Sequence, residues 1–211
     1  MLAQDRGEAR WFAMEWAEGN TLREMIDAGG NALSIERSVT LIYKVCEILA
    51  YVHELGIAHL DLKPEHIVVD AEENVRIIDF GAARPSRSLF SLLTPAKPHG
   101  TPDYASPEQL KGKLAGVRSD VYSVGLILYE MLAGELPFSS TAPDIAMNLR
   151  LHRNPVPLSE INAEIPEPLE RIVQGAIERD PSKRYAHARE LGLELDRFRQ
   201  TRAGRFVKLL D

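Results

Sequence analysis

The sequence predicts a mainly α domain of the α+β class, with a few short strands gathered toward its N-terminal third, and three observations predict it. Residues 35–55 place Val39, Ile42, Val45, Cys46, Leu49 and Val52 on one stripe at helical spacing. Residues 119–133 are apolar on nearly every side, the pattern of a helix enclosed by a core. Strand-like runs are brief and confined to 11–16, 67–69 and 75–78. At 211 residues and 45% hydrophobic content the chain can fill one core of ordinary size.

Taken in order, Trp11–Trp16 mixes aromatic and apolar residues as a strand does, and Gly19-Asn20 ends it. Thr21 is placed to cap a short helix through Ala28, stopped by Gly29-Gly30. The long helix 35–55 closes at Gly56, and the strands 67–69 and 75–78 flank a turn at Asp70–Asn74. Residues 81–104 carry no periodicity and are rich in proline, serine and glycine, so they read as a long loop of the kind that usually has a function. The enclosed helix ends at Gly134 and Pro137, and three more helices follow at 141–150, 168–178 and 186–198. Residues 201–211 read as a basic, frayed tail.

Composition excludes several functions. A net charge of −6 argues against nucleic acid as a partner, because phosphate backbones need a basic surface. A single cysteine, Cys46, rules out a disulfide framework or a zinc cluster and suits a reducing, cytoplasmic location. The first residues have no signal-peptide pattern. The longest apolar run, around Val121–Leu132, is interrupted by Ser123 and Glu130 and is too short to span a bilayer.

The chemistry lies in His59-Leu60-Asp61-Leu62-Lys63-Pro64-Glu65-His66, followed by Asp79-Phe80-Gly81. One carboxylate sits on a loop after the long helix, and the other directly follows a strand at a glycine-hinged loop. Phosphoryl transfer asks a protein to orient a hydroxyl and to hold a metal against phosphate, so two carboxylates with separate tasks are its minimal kit. Three further segments follow: Gly100–Glu108, Ser119–Gly125 and Arg179–Arg184. In this order the five segments resemble the serine/threonine protein kinases, particularly the eukaryotic-type kinases of bacteria. The resemblance covers nearly the whole chain but only the C-terminal lobe of that fold. It implies one kinase-like domain over 1–199, with the last small-lobe strand and hinge at 1–17, a helical lobe at 18–199 and a tail at 200–211.

The resemblance also implies roles. Asp61 would take or orient the proton of a protein serine or threonine hydroxyl, Lys63 would balance charge on the transferred phosphate, and Thr101 would bridge the two. Asp79 would hold magnesium against the phosphates of ATP, with Phe80 packed beneath His59 and Gly81 as the hinge. Val68 would form the floor under adenine, Met14 would be the gatekeeper, and the Glu15 carbonyl and Ala17 N–H would bond the adenine edge. Glu108 and Arg184 would form a buried ion pair, and Asp120 would accept N–H bonds from the backbone of the 59–66 loop.

Three departures qualify these expectations. Leu60 stands where an arginine normally clamps an activation-loop phosphate, so phosphorylation at Ser86, Ser88, Ser91 or Thr94 is not expected to act through that clamp. His66 stands where an asparagine would bind a second metal, and imidazole suits manganese better than magnesium. No Gly-x-Gly-x-x-Gly occurs, and the first lysine is Lys44, inside the long helix. The expectation is therefore a chain that keeps only the last strand of the small lobe. It would be weak or inactive alone and would expose a strand edge at Trp11–Met14 to a partner. The alternatives are a scaffold that binds partners through its helical lobe, or half of a split enzyme.

Overall fold

A computed structural model describes residues 2–6, 9–13, 15–28, 33–85, 103–138, 140 and 142–207. The chain opens with a hairpin in which β1 (Leu2–Arg6) pairs antiparallel with β2 (Ala9–Ala13). This corrects the expectation of a lone strand at 11–16. Leu2–Arg6 fills one edge of β2, so a partner at that edge is not supported. The Leu2–Arg6 segment escaped notice because Leu-Ala-Gln-Asp-Arg has no period-2 alternation.

Next come β3 (Asn20–Thr21) and α1 (Leu22–Ala28). Thr21 caps α1 as expected, and the arrangement is reciprocal: the Glu24 N–H donates to Thr21 Oγ1 (3.2 Å) and Glu24 Oε2 accepts from the Thr21 N–H (2.7 Å). The long helix α2 (Ile35–Glu54) is capped by Ser34, whose hydroxyl accepts from the Arg37 N–H (3.3 Å). The core then receives β4 (Ile57–Ala58), a 3₁₀ turn at Pro64–His66, β5 (Ile67–Val69), β6 (Val75–Ile77) and β7 (Arg84–Pro85). Strands β3, β5 and β6 form one antiparallel sheet in that spatial order, and β4 pairs with β7. The two-residue strands were not expected, and β7 interrupts what reads in sequence as continuous loop.

The C-terminal half is helical: α3 (Pro107–Leu110), α4 (Val117–Ala133), α5 (Pro143–His152), α6 (Leu158–Ile161), α7 (Glu167–Ala176) and α8 (Ala188–Val207). The last helix runs past 200, so the expected frayed tail at 201–211 is corrected: its backbone is helical through Val207. As predicted, α4 is enclosed, with Ser119–Leu132 buried continuously between α2, α7 and α8. Gly125 permits a close approach to the end of α7, since a Cβ there would lie 2.6 Å from Ile177 Cγ2 and 2.7 Å from Ala176 Cβ. Among the described residues no helix is long and apolar enough to cross a membrane.

The short ladders position the chemistry. Ala58 at the end of β4 pairs with Arg84 at the start of β7, and Ile67 at the start of β5 pairs with Ile77 at the end of β6. Loops 59–66 and 78–83 are thus clamped together at both ends and run face to face.

Candidate phosphotransfer site

His59 joins the two loops. Its ring is wedged between them: the Asp61 N–H donates to Nδ1 (3.3 Å) and Nε2 lies 3.2 Å from the Ile78 carbonyl. A carbonyl can only accept, so Nε2 carries the hydrogen and Nδ1 the lone pair. Burial pushes His59 below the usual imidazole range, against the pull of Asp120, which matches this neutral role. Its ring also packs on Phe80 as expected, centroid to centroid 4.7 Å. One buried ring therefore fixes the backbone just before each carboxylate-bearing turn.

Asp120, fully buried on α4, holds the other side of the 59–66 loop. Its carboxylate accepts from the N–H groups of His59 and Leu60, each at 2.8 Å, and from His53 Nε2 at 2.9 Å. The first two bonds were expected; the third was not. His53 accepts in turn from the Ala188 N–H (3.4 Å), which ties the loop to the start of α8. Leu60 has φ 66°, a left-handed conformation that costs an L-residue about 1–2 kcal/mol. It is gripped from both sides, because Gln109 Nε2 on α3 donates to its carbonyl (2.8 Å). Gln109 could not be found from the sequence, since nothing in its own segment signals a partner 49 residues away.

Asp61 and Asp79 converge on His66. The His66 Nδ1 atom donates to the Asp61 backbone carbonyl (2.8 Å) and lies 3.9 Å from Asp61 Oδ2. Nε2 lies 3.5 Å from Asp79 Oδ2. The Asp61 side chain is 34% exposed and that of Asp79 58%, so both carboxylates remain open to a ligand. Asp79 has φ 60°, a conformation aspartate tolerates through a local bond, here from the Gly81 N–H to Oδ1 (3.1 Å). Gly81 leaves room for that contact, since a Cβ there would lie 2.9 Å from Asp79 Oδ1 and push the carboxylate aside.

The other predicted residues are dispersed around this centre. Lys63 is half-buried on extended backbone just before the 3₁₀ turn. Val68 is buried in the middle strand β5. Glu15 and Ala17 lie on the irregular segment between β2 and β3, with Glu15 Oε1 3.8 Å from Arg76. A groove of about 1000 Å³ borders Glu15, Gly19, Val69 and Asp70 but contains neither Asp61 nor Asp79. Met14 and Thr101 lie outside the described residues, as do Ser86, Ser88, Ser91 and Thr94.

Two ionic clusters, one buried and one partly buried, support the site from beneath. Arg184 meets Glu108 through two parallel bonds of 2.7 Å and also donates to the carbonyls of Glu178, Arg118 and Arg179. Ser119 Oγ donates to Glu108 Oε1 (2.7 Å). Burial would raise the Glu108 carboxyl, but the Arg184 bonds and charge outweigh it and hold the group below its ordinary value. The second cluster was not foreseen: Arg23 on α1 donates to Glu130 Oε1 and Oε2 (3.0 and 3.1 Å) and to Tyr104, and lies 3.8 Å from Glu65 in the 3₁₀ turn. It connects α1, the 59–66 loop and the central helix.

A family model described as the protein kinase domain matches residues 3–192. The chain is 34% identical over 214 residues to the serine/threonine-protein kinase PknB of Mycolicibacterium smegmatis, covering 98% of this chain and 34% of that protein. It is 34% identical to PknB of Mycobacterium leprae, over 92% of this chain and 32% of that protein. It is 34% identical to the probable serine/threonine-protein kinase CPE1738 of Clostridium perfringens, over 92% of this chain and 28% of that protein. The chain spans about a third of the length of these curated relatives.

Proposed function

The chain belongs to the protein kinase family, alongside the eukaryotic-type serine/threonine kinases of bacteria, and from that premise we propose that it carries their phosphotransfer centre, moving the ATP γ-phosphoryl group to a serine or threonine hydroxyl of a protein. The observation that carries the proposal is the convergence of Asp61 and Asp79 on one imidazole, at 3.9 and 3.5 Å. Asp61 orients the hydroxyl and receives its proton as the serine or threonine oxygen bonds to phosphorus and the β–γ bridging oxygen leaves. Lys63 offsets charge on the moving phosphoryl group, and Thr101 bridges Lys63 and Asp61. Glu15 and Ala17 present backbone groups to adenine, Met14 has the role of gatekeeper, and Val68 underlies the ring.

Asp79 fits magnesium: one carboxylate oxygen is engaged by the Gly81 N–H, and the other, Oδ2, lies 3.5 Å from His66 Nε2 on a side chain that is 58% exposed, an oxygen donor of the type this hard cation takes. Magnesium, when bound, neutralises charge on the nucleotide phosphates. His59, Asp120 and Gln109 act on chemistry only through the backbone of residues 59–61.

The test is phosphorylation of a generic serine- and threonine-rich protein by labelled ATP. Asp61→Asn is expected to lower the rate by about 10²–10⁴-fold, the usual contribution of a positioned acid–base group. A second reading, a kinase-derived binding module, is favoured by Leu60 and by a histidine occupying the space between the two carboxylates. If wild type and Asp61→Asn are equally inert with magnesium and with manganese, that reading replaces the first.

A further inference from the structure

We propose that the cavity between the C-terminal ends of α5 and α7 binds a phosphate monoester, at a site separate from the phosphotransfer centre and independent of that reading. The cavity holds about 350 Å³, and neither Asp61 nor Asp79 lines it. Three arginines do: Arg150 on α5, Arg153 directly after α5, and Arg179 after α7. Glu178 is the one carboxylate set against them, so the lining carries two net positive charges in a chain of net charge −6. A phosphate monoester carries about −1.5 to −2 at neutral pH, which balances that surplus. A carboxylate, with a single charge, leaves half of it.

The cations are fixed by the fold. Arg150 is only 3% exposed, and its Nη1 donates to the Ala105 carbonyl (3.2 Å). Arg179 Nη2 donates to the Arg153 carbonyl (2.6 Å) and to Asn154 Oδ1 (3.3 Å), which fastens the chain after α5 to the end of α7. Both of those acceptors are neutral. Arg179 Nε is buried with no hydrogen-bond partner among the described residues. A guanidinium nitrogen can only donate, so that atom calls for an incoming acceptor. Burial outweighs the pull of Tyr122, Asp103 and Tyr104 and holds Arg150 below the ordinary arginine value, so an added anion beside it is favoured.

The rest of the lining selects what the anion is attached to. Tyr122, Phe138 and Ile177 are buried and give the cavity an apolar floor, while Arg153 and Glu178 are exposed at its rim. A phosphoryl group on a short apolar stem satisfies both parts. Its oxygens meet guanidinium forks in pairs, and the stem covers the floor, the usual division of labour in a small-ligand pocket. Small organophosphates and phosphorylated protein side chains both present this chemistry.

The experiment is titration calorimetry on the full chain with phenyl phosphate, inorganic phosphate, and a phosphothreonine peptide beside its unphosphorylated twin. Phenyl phosphate is expected to bind, and to bind more tightly than inorganic phosphate. Arg153→Gln, an exposed substitution, is expected to weaken it by about tenfold, the scale of one lost charge-assisted bond, with the thermal midpoint unchanged. Glu178→Gln is expected to tighten it by roughly two- to fivefold, the scale of one screened surface charge. A misfolded variant cannot produce that gain. Arg197→Gln, on an exposed side chain of α8 outside the cavity, is the charge-matched control and leaves affinity as it was. Tighter binding of the phosphopeptide than of phenyl phosphate assigns the ligand to a modified protein, and the reverse order assigns it to a small molecule; either supports the site. Absence of binding at millimolar concentration, equal binding of the two peptides, or affinities indifferent to both Arg153→Gln and Glu178→Gln overturns it. None of these results depends on phosphotransfer, which Asp61→Asn tests separately.

Discussion

Two sets of carboxylates in this molecule sit in opposite states. Glu108 and Asp120 are buried, and their oxygens are taken up by Arg184, Ser119, His53 and two backbone N–H groups. Asp61 and Asp79 lie a short way off, partly exposed and sharing one histidine. The difference teaches how to separate structure from chemistry here. A buried carboxylate surrounded by donors has nothing left to offer a ligand, and removing it leaves its partners unsatisfied. An exposed carboxylate with an open oxygen contributes little to the fold and is available for reaction.

The largest expected effect breaks the saturated set. Arg184→Ala leaves Glu108 buried without its cation and is expected to cost about 3–5 kcal/mol, the usual range for one half of a buried pair, measured by urea unfolding. Asp61→Asn should move stability by less than about 0.5 kcal/mol, as exposed substitutions do, while lowering phosphotransfer as stated above. Comparable losses of stability in both variants would erase the distinction between the two regions.

Packing between α4 and α7 gives a middle-sized effect. Gly125→Ala inserts a methyl group into space held by Ile177 and Ala176. Overpacking of this kind costs about 1–3 kcal/mol, and the thermal midpoint should fall accordingly. An unchanged midpoint would mean that α7 can shift away from α4 without loss.

Acid sharpens the contrast by another route. Glu108 is held below its ordinary value of 4.5 in the folded chain. A carboxylate depressed by folding stabilises above its unfolded value, and that stabilisation is lost as pH falls through the folded value. Wild type should therefore exceed Glu108→Gln in stability at neutral pH, with the gap narrowing as pH drops below 4.5. Paired denaturant melts across that range read the gap, and a pH-independent gap would assign the Glu108 effect to shape rather than charge.

How far the sequence revealed these regions depends on the scale of each feature. Long features were legible: α2, which carries the stripe, spans 20 residues, and α4 is apolar on nearly every side, so periodicity has enough turns to register. The Glu108–Arg184 pair and the backbone bonds of Asp120 followed from the family resemblance, because they belong to segments with recognisable order. Short features were not legible. The ladders β3, β4 and β7 have two residues each, less than one full alternation, and α3 is a single turn. The basic residues past 200 looked like a tail because propensity says little about where a helix on the rim of a domain stops. Side-chain bridges between distant segments, such as His53 to Asp120 or Arg23 to Glu130, have no local signature at all. Even His66, singled out by its position in the motif, gave no hint that its two nitrogens face two different aspartates.

The smallest expected effect concerns the backbone beneath the reactive loop. Leu60 holds φ 66° and is half-buried, and both its N–H and its carbonyl are bonded, so the conformation is imposed by Asp120 and Gln109 and not chosen by leucine. Glycine adopts that φ without steric penalty but gives up chain entropy of about 0.5–1 kcal/mol on folding, against strain relief of about 1–2 kcal/mol. Leu60→Gly is therefore expected to raise stability by no more than about 1 kcal/mol. Leu60→Asn, which visits the left-handed region more readily than leucine, should fall between the two. A loss of stability in both variants would show that the leucine side chain contributes packing that outweighs its backbone strain, and would place residue 60 with the saturated scaffold instead of the open site.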